Sequence, residues 1–319
     1  MEINRRGFIG SMAALGAVGM GTAARAEAGR SLPFPHLTGR EFQDMDGVYA
    51  ALFTPFRKDG SLNEEVIERE IEYGLRNGLR GFYLTGGTGE GLNMTPEERV
   101  RVYRRAAKAA NGRAKLIAHV GCINSDEAAK LARAAADAGC DWVSSVPPVY
   151  FGRKFEDAYR HYSIISSATD LPFLIYSIGG SQINSDRDAK LFDIPNVKGM
   201  KYTGTDFYAL QRLKRRLNKE ALFLSGSDQH FVAALSFGNV FSGCIGMTDN
   251  MLPWLYSKIC ALAAADRFAE ASELQDMSVR FVELILSKPN FSWPKAVMKY
   301  IGIDCGEGRA PAGRPLTAA

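Results

Sequence analysis

The sequence is poor in the side chains that build metal centres and disulfide networks. Only four histidines and five cysteines occur among 319 residues. The cysteines form no CxxC pair and have no histidine at metal-ligand spacing, so neither a zinc site nor a disulfide framework is expected. No metal or cofactor is therefore predicted, and the scattered cysteines are predicted to be small apolar core residues. They are Cys122, Cys140, Cys244, Cys260 and Cys305.

The chain also lacks a strong excess of charge. Its formal net charge is +4, and half of this lies in residues 1–26, where three arginines outweigh one glutamate. So small an excess gives no reason to expect a nucleic acid or another polyanion as partner. With 46% hydrophobic and 23% charged residues, the composition is that of a globular protein with one or two domains.

Residues 1–26 resemble an export signal. The paired Arg5 and Arg6 precede an uncharged stretch from Gly7 to Ala24, and a small-x-small cleavage sequence ends at Ala26. This combination is typical of a bacterial twin-arginine signal. The alternative is a membrane anchor, but five glycines in 18 residues make a poor spanning helix. Cleavage predicts a soluble periplasmic protein, or a cytoplasmic one if the signal does not function, and residues 27–45 are predicted to be a leader.

From Gly47 onward, short strands alternate with longer helices. Runs of β-branched and aromatic residues predict strands, near 48–53, 80–84, 115–120, 141–146, 172–176, 197–201, 221–225 and 240–245. Segments of helical period predict the helices between them, near 63–77, 96–110, 125–138, 155–168, 186–193, 205–217, 228–237 and 250–264. Thr95 is predicted to cap the second helix, with Pro96 in its first position.

Eight such units favour a single (β/α)8 barrel, a TIM barrel of the α/β class, over residues 46–264. A doubly wound sheet is the alternative, because periodicity alone does not separate the two folds. Further helices are predicted near 266–287 and 292–302. Residues 265–319 would then form a C-terminal segment that packs outside the barrel or against a neighbouring subunit.

The residues at the carboxyl ends of the strands matter most, because chemistry in such barrels occurs there. The second strand runs into a glycine-rich turn, residues 86–91, whose consecutive N–H groups suit a carboxylate or phosphate, with the Thr88 hydroxyl as a further donor. The turn has no P-loop lysine and does not continue as GxGxxG into a helix, so nucleotide binding is not expected. A plain turn without a ligand is the alternative.

The sixth strand ends on Lys201, which is the candidate nucleophile. Lys198 lies three residues earlier and points to the opposite face, leaving Lys201 to face the barrel mouth. Partial desolvation there favours the neutral amine that attacks a carbonyl. A lysine that extends into solvent is the alternative.

Two tyrosines also stand near strand ends. Tyr150 follows the fourth strand and Tyr176 ends the fifth, so their phenols are candidates for passing protons, whereas core packing is the alternative. Asp228 after the seventh strand, with Gly243 and Ile245 in the eighth, adds a polar rim and small residues near the mouth. The histidines are isolated and are predicted to be structural or on the surface; they are His36, His119, His161 and His230.

Together these features resemble the dihydrodipicolinate synthase and N-acetylneuraminate lyase family. The resemblance rests on the sequence Gly-Gly-Thr-Gly-Glu at residues 86–90, on Tyr176 and on Lys201, and extends from about Gly47 to Gly302. It implies class I Schiff-base chemistry on pyruvate or another 2-oxo acid, without a metal, in a homotetramer or homodimer.

The resemblance also implies individual roles. Lys201 would form the imine and Tyr176 would shuttle protons. Gly87 and Thr88 would hold the substrate carboxylate, although the family often has a hydroxyl residue where Gly87 stands. The family places a tyrosine at the position of Tyr150 that reaches across a subunit interface, and it places a pocket-lining residue at Thr203.

Some positions depart from the family pattern. Ser181 stands where the lysine-biosynthesis synthase has an arginine, which argues against aspartate semialdehyde as partner. Asp228 matches a sugar contact of the sialic acid lyase, but Gln229 and Met247 replace an acidic residue and a hydroxyl donor. We therefore expect a lyase or aldolase for a less polar 2-oxo acid, with an aldehyde as second substrate or product. The synthase itself, a 2-oxo acid dehydratase and a non-catalytic 2-oxo acid binding protein are the alternatives.

Overall fold

Eight parallel strands close into one barrel in sequential order, β1 to β8. The computed structural model describes residues 40–152, 154–178, 183–237, 240–288 and 290–314. The strands are β1 Gly47–Ala51, β2 Gly81–Leu84, β3 Lys115–His119, β4 Trp142–Ser145, β5 Phe173–Ser177, β6 Val197–Tyr202, β7 Leu222–Ser225 and β8 Gly243–Gly246. The predicted (β/α)8 barrel is confirmed, and the doubly wound sheet is excluded. The predicted export signal and Ser181 lie outside the described residues.

Each strand is followed by a helix, and two more helices follow the last unit. They are α1 Glu64–Arg76, α2 Pro96–Ala110, α3 Ser125–Asp137, α4 Phe155–Ser166, α5 Ser185–Asp188, α6 Phe207–Arg216, α7 Phe231–Ser236, α8 Pro253–Ala264, α9 Phe268–Leu286 and α10 Ser292–Tyr300. Helix α9 packs outside the barrel against α7 and α8. Within the described ranges, no helix combines the length and the apolar character needed to cross a bilayer.

Helix α2 begins as its sequence predicts. The Thr95 hydroxyl accepts a hydrogen bond from the Glu98 N–H at 3.2 Å, and the Glu98 carboxylate accepts one from the Thr95 N–H at 3.1 Å. This reciprocal pair satisfies two backbone groups in the first turn. Pro96 takes the first helical position, where a missing N–H does no harm.

The last residues of the predicted leader belong to the barrel. Arg40–Met45 forms 3-10 turns, and the side chains of Phe42 and Met45 join the buried interior cluster. The Phe42 ring packs edge-on against Trp142, with centroids 5.9 Å apart, and the Tyr49 hydroxyl donates to the Met45 carbonyl at 3.0 Å. The leader therefore ends inside the fold, because these side chains cover apolar groups where the strands begin.

The barrel closes where β8 returns to β1. Gly47 pairs with Gly243, and a side chain added at Gly243 would collide with the Gly47 carbonyl. Glycine is needed here because the two backbones approach so closely. This packing accounts for a glycine at position 243 without any contact to substrate. The predicted contact between Gly243 and the substrate stays a prediction.

All five cysteines are free thiols, and only Cys122 is not fully buried. Burial raises the pKa of the Cys140 thiol to about 12. The prediction that the cysteines serve as apolar core residues is confirmed for four of them.

Candidate active site

Lys201 lies inside the barrel mouth, with only 4% of its surface exposed. Its Nζ lies 4.1 Å from the ring centroid of Tyr176 and 4.5 Å from that of Tyr83. Within the described residues, Nζ has no hydrogen-bond or ion-pair partner. An amine held by aromatic faces rather than by a carboxylate remains open to a carbonyl ligand. The alternative of a lysine extending into solvent is thereby excluded.

Tyr176 lies beside Lys201 because of the strand register. β5 pairs with β6 so that Tyr176 is opposite Lys201, and neighbouring residues in a parallel pair have side chains on the same face. The Tyr176 hydroxyl has no hydrogen-bond partner in the part of the chain that the structure describes. It is therefore available to a bound substrate.

Tyr83 completes the aromatic wall, and sequence analysis did not single it out. Its ring meets that of Tyr176 edge to face, with centroids 6.0 Å apart, and its hydroxyl shares a 2.9 Å hydrogen bond with the Ser144 hydroxyl. Burial raises the pKa of Tyr83 well above its usual value, so the phenol stays protonated. The Tyr83 hydroxyl is thus engaged, whereas the Tyr176 hydroxyl has no partner in the described residues. The available signal was the alternation along β2, which turns Tyr83 inward.

His119 also packs against this wall, with its ring centroid 6.3 Å from that of Tyr176. Its Nδ1 lies 3.1 Å from the Thr85 carbonyl. Burial, together with the positive charges of Arg99 and Lys201, lowers the pKa of His119 to about 3. The imidazole is therefore neutral at ordinary pH, which fits the structural role predicted for it. Its contact with Tyr176 was not predicted, although His119 is the last residue of β3 and Tyr176 is the last but one of β5.

The glycine-rich turn after β2 folds back on itself. The Glu90 N–H donates to the Gly87 carbonyl at 3.0 Å, and the Gly91 N–H donates to the Gly86 carbonyl at 3.1 Å. The N–H groups of Gly87 and Thr88 have no intramolecular partner among the described residues. A side chain at Gly86 would strike the Tyr83 ring, so the turn lies directly beside the wall that holds Lys201. Free N–H groups in such a turn form an anion site.

Two further residues predicted to line the pocket, Thr203 and Ile245, lie near Lys201 and Tyr176. The buried Thr203 Oγ1 has no hydrogen-bond partner in the described ranges. An added Cβ at Gly226 would meet both Thr203 Oγ1 and, at 3.1 Å, Lys201 Cε, so Thr203 lies beside the amine. Ile245 belongs to the buried interior cluster against which Tyr176 packs.

Asp228 is tied to the turn after β8. Its carboxylate accepts hydrogen bonds from the Thr248 N–H at 2.8 Å and from the Thr248 hydroxyl at 2.5 Å. A side chain at Gly246 would collide with Asp228 Oδ1 and meet Asp249 Oδ2 at 2.8 Å, so two buried carboxyl groups are neighbours here. The structure thus gives Asp228 a role in joining the ends of β7 and β8. Contact of Asp228 with the substrate stays a prediction.

Asp249, the other member of this carboxyl pair, has one oxygen without a hydrogen-bond partner in the described residues. Its Oδ2 accepts from the Gly246 N–H at 2.8 Å, whereas its Oδ1 has no partner in the described residues. Burial raises the pKa of Asp249 well above its usual value, and the neighbouring Asp228 raises it further.

We expect Asp249→Asn to stabilise the protein near neutral pH. An aspartate whose pKa is raised on folding loses stabilising free energy as pH rises from its unfolded pKa towards its folded one. The uncharged amide removes this loss, so the gain in melting temperature over the wild type should be larger at pH 7.5 than at pH 4.5. The exposed carboxyl variant Asp276→Asn serves as control. Equal shifts of Asp249→Asn at both pH values would contradict the expectation.

Tyr150 is not brought to Lys201 within the chain. It lies in the loop after β4, is 68% exposed, and packs edge-on against Phe151, which is 70% exposed, with centroids 4.6 Å apart. Burying two such rings would be favourable. Their exposure agrees with a tyrosine that reaches another subunit, which stays a prediction.

Comparison with known proteins gives concordant matches. The chain matches the dihydrodipicolinate synthetase family over residues 44–317. The N-acetylneuraminate lyase of Lactiplantibacillus plantarum is 35% identical over 273 residues, which are 84% of this chain and 92% of that protein. The crystal structure of N-acetylneuraminate lyase from Mycoplasma synoviae, crystal form II, superposes with a TM-score of 0.80 at 31% identity, covering 87% of this chain and 94% of that one. A Ruminococcus gnavus sialic acid aldolase, solved as a catalytic lysine mutant, gives a TM-score of 0.82 at 26% identity over 87% and 93% of the two chains.

Proposed function

The chain belongs to the dihydrodipicolinate synthetase family, and from this premise we propose that it is a Schiff-base-forming lyase or aldolase acting on pyruvate or another 2-oxo acid. The observation that carries the proposal is the placement of Lys201, which is buried at the barrel mouth between two tyrosine rings with no ion-pair partner in the described residues. A lysine in such a place is an activated nucleophile. The solved Ruminococcus gnavus relative is itself named for a catalytic lysine.

The first half of the reaction forms the imine. The Lys201 amine adds through its unprotonated form to the keto carbon, and the carbinolamine then loses the keto oxygen as water. The substrate carboxylate binds the free N–H groups of Gly87 and Thr88, which orients the keto carbon towards Nζ. Tyr176 supplies and removes the protons that these two steps need, because its ring lies against the amine and its hydroxyl has no hydrogen-bond partner in the described residues.

The second half makes or breaks a carbon–carbon bond. The cationic imine nitrogen withdraws electrons and stabilises the carbanion, or enamine, at the adjacent methyl carbon. In the cleavage direction, Tyr176 takes the proton of the departing hydroxyl group, and an aldehyde leaves. In the synthetic direction, the enamine attacks the aldehyde carbonyl and Tyr176 returns the proton.

The outer part of the pocket favours a substrate with few hydroxyl groups. Met247, which follows β8, is half-buried, and the Gln229 side chain is exposed. Neither offers the charged or hydroxyl partner that a polyhydroxylated chain needs, and unpaired hydroxyl groups reduce affinity. We therefore propose that the substrate is a 2-oxo acid less polar than sialic acid. Several relatives are named for sialic acid or for N-acetylneuraminate.

The experiment that tests this function is reductive trapping. The purified protein is incubated with pyruvate and borohydride, its intact mass is measured, and the labelled peptide is mapped. One reduced pyruvate adduct per chain on Lys201 is the expected result, and a panel of aldehydes then identifies the second substrate. Absence of an adduct with pyruvate and other small 2-oxo acids would reject the enzyme proposal in favour of a binding protein.

We further propose that the protein is exported and works as a homotetramer or homodimer. The paired Arg5 and Arg6, followed by the cleavage sequence ending at Ala26, support export to the periplasm. The exposed Tyr150 and Phe151 support a subunit contact near the active site. N-terminal sequencing of the periplasmic protein would give Glu27 as its first residue, and light scattering would give the number of subunits.

A further inference from the structure

A fully buried ion pair lies behind the glycine-rich turn. Lys295 Nζ is 2.6 Å from Glu90 Oε1, and both side chains are 0% exposed. Lys295 lies on α10, outside the eight βα units, whereas Glu90 belongs to the turn that carries Gly87 and Thr88. A buried pair of this kind gives little net stability, but it fixes the relative position of the two segments that it joins.

The same lysine also reaches the segment that follows β1. Its Nζ donates to the Thr54 carbonyl at 2.7 Å, and the Thr54 hydroxyl in turn donates to the Gly89 carbonyl at 2.6 Å. Lys295 is therefore connected to the turn twice, directly through Glu90 and indirectly through Thr54 and Gly89. The backbone N–H of Arg309 closes the cluster by donating to Glu90 Oε2 at 2.7 Å.

The turn needs such support because its backbone is strained. Thr85 and Glu90 have φ values of 51° and 53°, in the left-handed region that residues other than glycine rarely adopt. Strained residues keep such a conformation only when surrounding contacts determine it. At Glu90 those contacts are made by Lys295 and Arg309, which come from the C-terminal segment.

We propose that Lys295 is a positioning residue, which holds the turn of residues 86–91 in the shape that binds the carboxylate of a 2-oxo acid. This inference rests on the proposed function, since it assigns the turn to that carboxylate. Lys295 does not touch the substrate. Its loss moves the N–H groups of Gly87 and Thr88 and so weakens binding, while the Lys201 amine remains intact.

The test is a pyruvate titration of imine trapping in charge-matched variants. Lys295→Met alone would leave the Glu90 carboxylate buried without its partner, which is strongly destabilising. The double variant Lys295→Met/Glu90→Gln removes both charges with little change in volume. We expect it to fold, to need about tenfold more pyruvate or more for half-maximal labelling, and to reach the wild-type extent of labelling at saturation.

Glu70→Gln is the matched control. Glu70 is buried in the same region, where it accepts a hydrogen bond from the Cys305 thiol at 3.5 Å, and among the described residues it makes no hydrogen bond to the turn. Burial raises the pKa of Glu70 well above its usual value, which favours the uncharged carboxyl, so glutamine is a close substitute. We expect this variant to keep the wild-type pyruvate dependence.

The outcomes separate the two proposals. A folded double variant whose half-maximal pyruvate concentration stays within about twofold of the wild type would overturn the role of Lys295. If the wild type itself forms no adduct, the proposed chemistry fails. Pyruvate binding is then measured by calorimetry, where equal affinity of wild type and double variant, or no binding by either, likewise overturns the positioning role.

Discussion

Lys201→Ala is expected to abolish both imine trapping and turnover. In the proposed reaction the Lys201 amine forms the covalent bond with the keto carbon. The phenols of Tyr83 and Tyr176 cannot form an imine in its place. Because Nζ contacts ring faces and makes no ion pair in the described residues, its removal breaks no buried ion pair. The variant should therefore fold, which circular dichroism and thermal melting would show.

Lys198→Ala is the control for this experiment. It lies on the same strand, but its side chain is partly exposed and pairs with Glu41 at 3.5 Å. The control should keep full labelling, because a surface ion pair contributes little to stability and nothing to the site. Full activity of Lys201→Ala, or loss of labelling in Lys198→Ala, would show that the nucleophile has been placed wrongly.

Tyr176→Phe is expected to slow turnover by about 10²–10⁴-fold, the usual effect of losing general acid–base help. The phenylalanine ring keeps the contact with Lys201 Nζ, so the pocket retains its shape and only the proton carrier is lost. Imine formation should become slow but should still reach completion on long incubation. Stopped-flow or quenched trapping would separate this rate from the final extent of labelling.

Tyr83→Phe makes this prediction specific. Both tyrosine rings contact the amine, but the Tyr83 hydroxyl is bound to Ser144, whereas the Tyr176 hydroxyl has no partner in the described residues. We therefore expect a clearly smaller loss of rate from Tyr83→Phe than from Tyr176→Phe. The opposite order would assign the proton relay to Tyr83.

The barrel could be predicted from the sequence because buried parallel strands appear as short apolar runs, such as Phe82-Tyr83-Leu84, separated by helices of regular period. The predicted helix at 186–193 shows the limit of this method. It is a short α-helix, Ser185–Asp188, followed by a 3-10 turn, Ala189–Asp193. A segment so short has too few residues for periodicity to separate the two forms.

The site was predictable where a local rule applied. Strand alternation turned Lys201 towards the mouth and Lys198 away from it, and the turn chemistry of residues 86–91 indicated an anion site. The contact of His119 with Tyr176 depends on the register of strands distant in sequence. The Glu90–Lys295 pair joins residues 205 positions apart, and on its own helix Lys295 looks like any surface lysine. No local pattern contains such information.

The closure of the barrel also determines when the protein can finish folding. The Asn250 side chain donates to the Ala51 carbonyl 199 positions away, and Arg309 meets Glu90 across 219 positions. Contacts between residues so distant in sequence slow folding, and the edge of β1 that pairs with β8 has no partner strand until residues 243–246 have been synthesised. The proposed twin-arginine route agrees with this order of events, because it moves finished proteins rather than emerging chains.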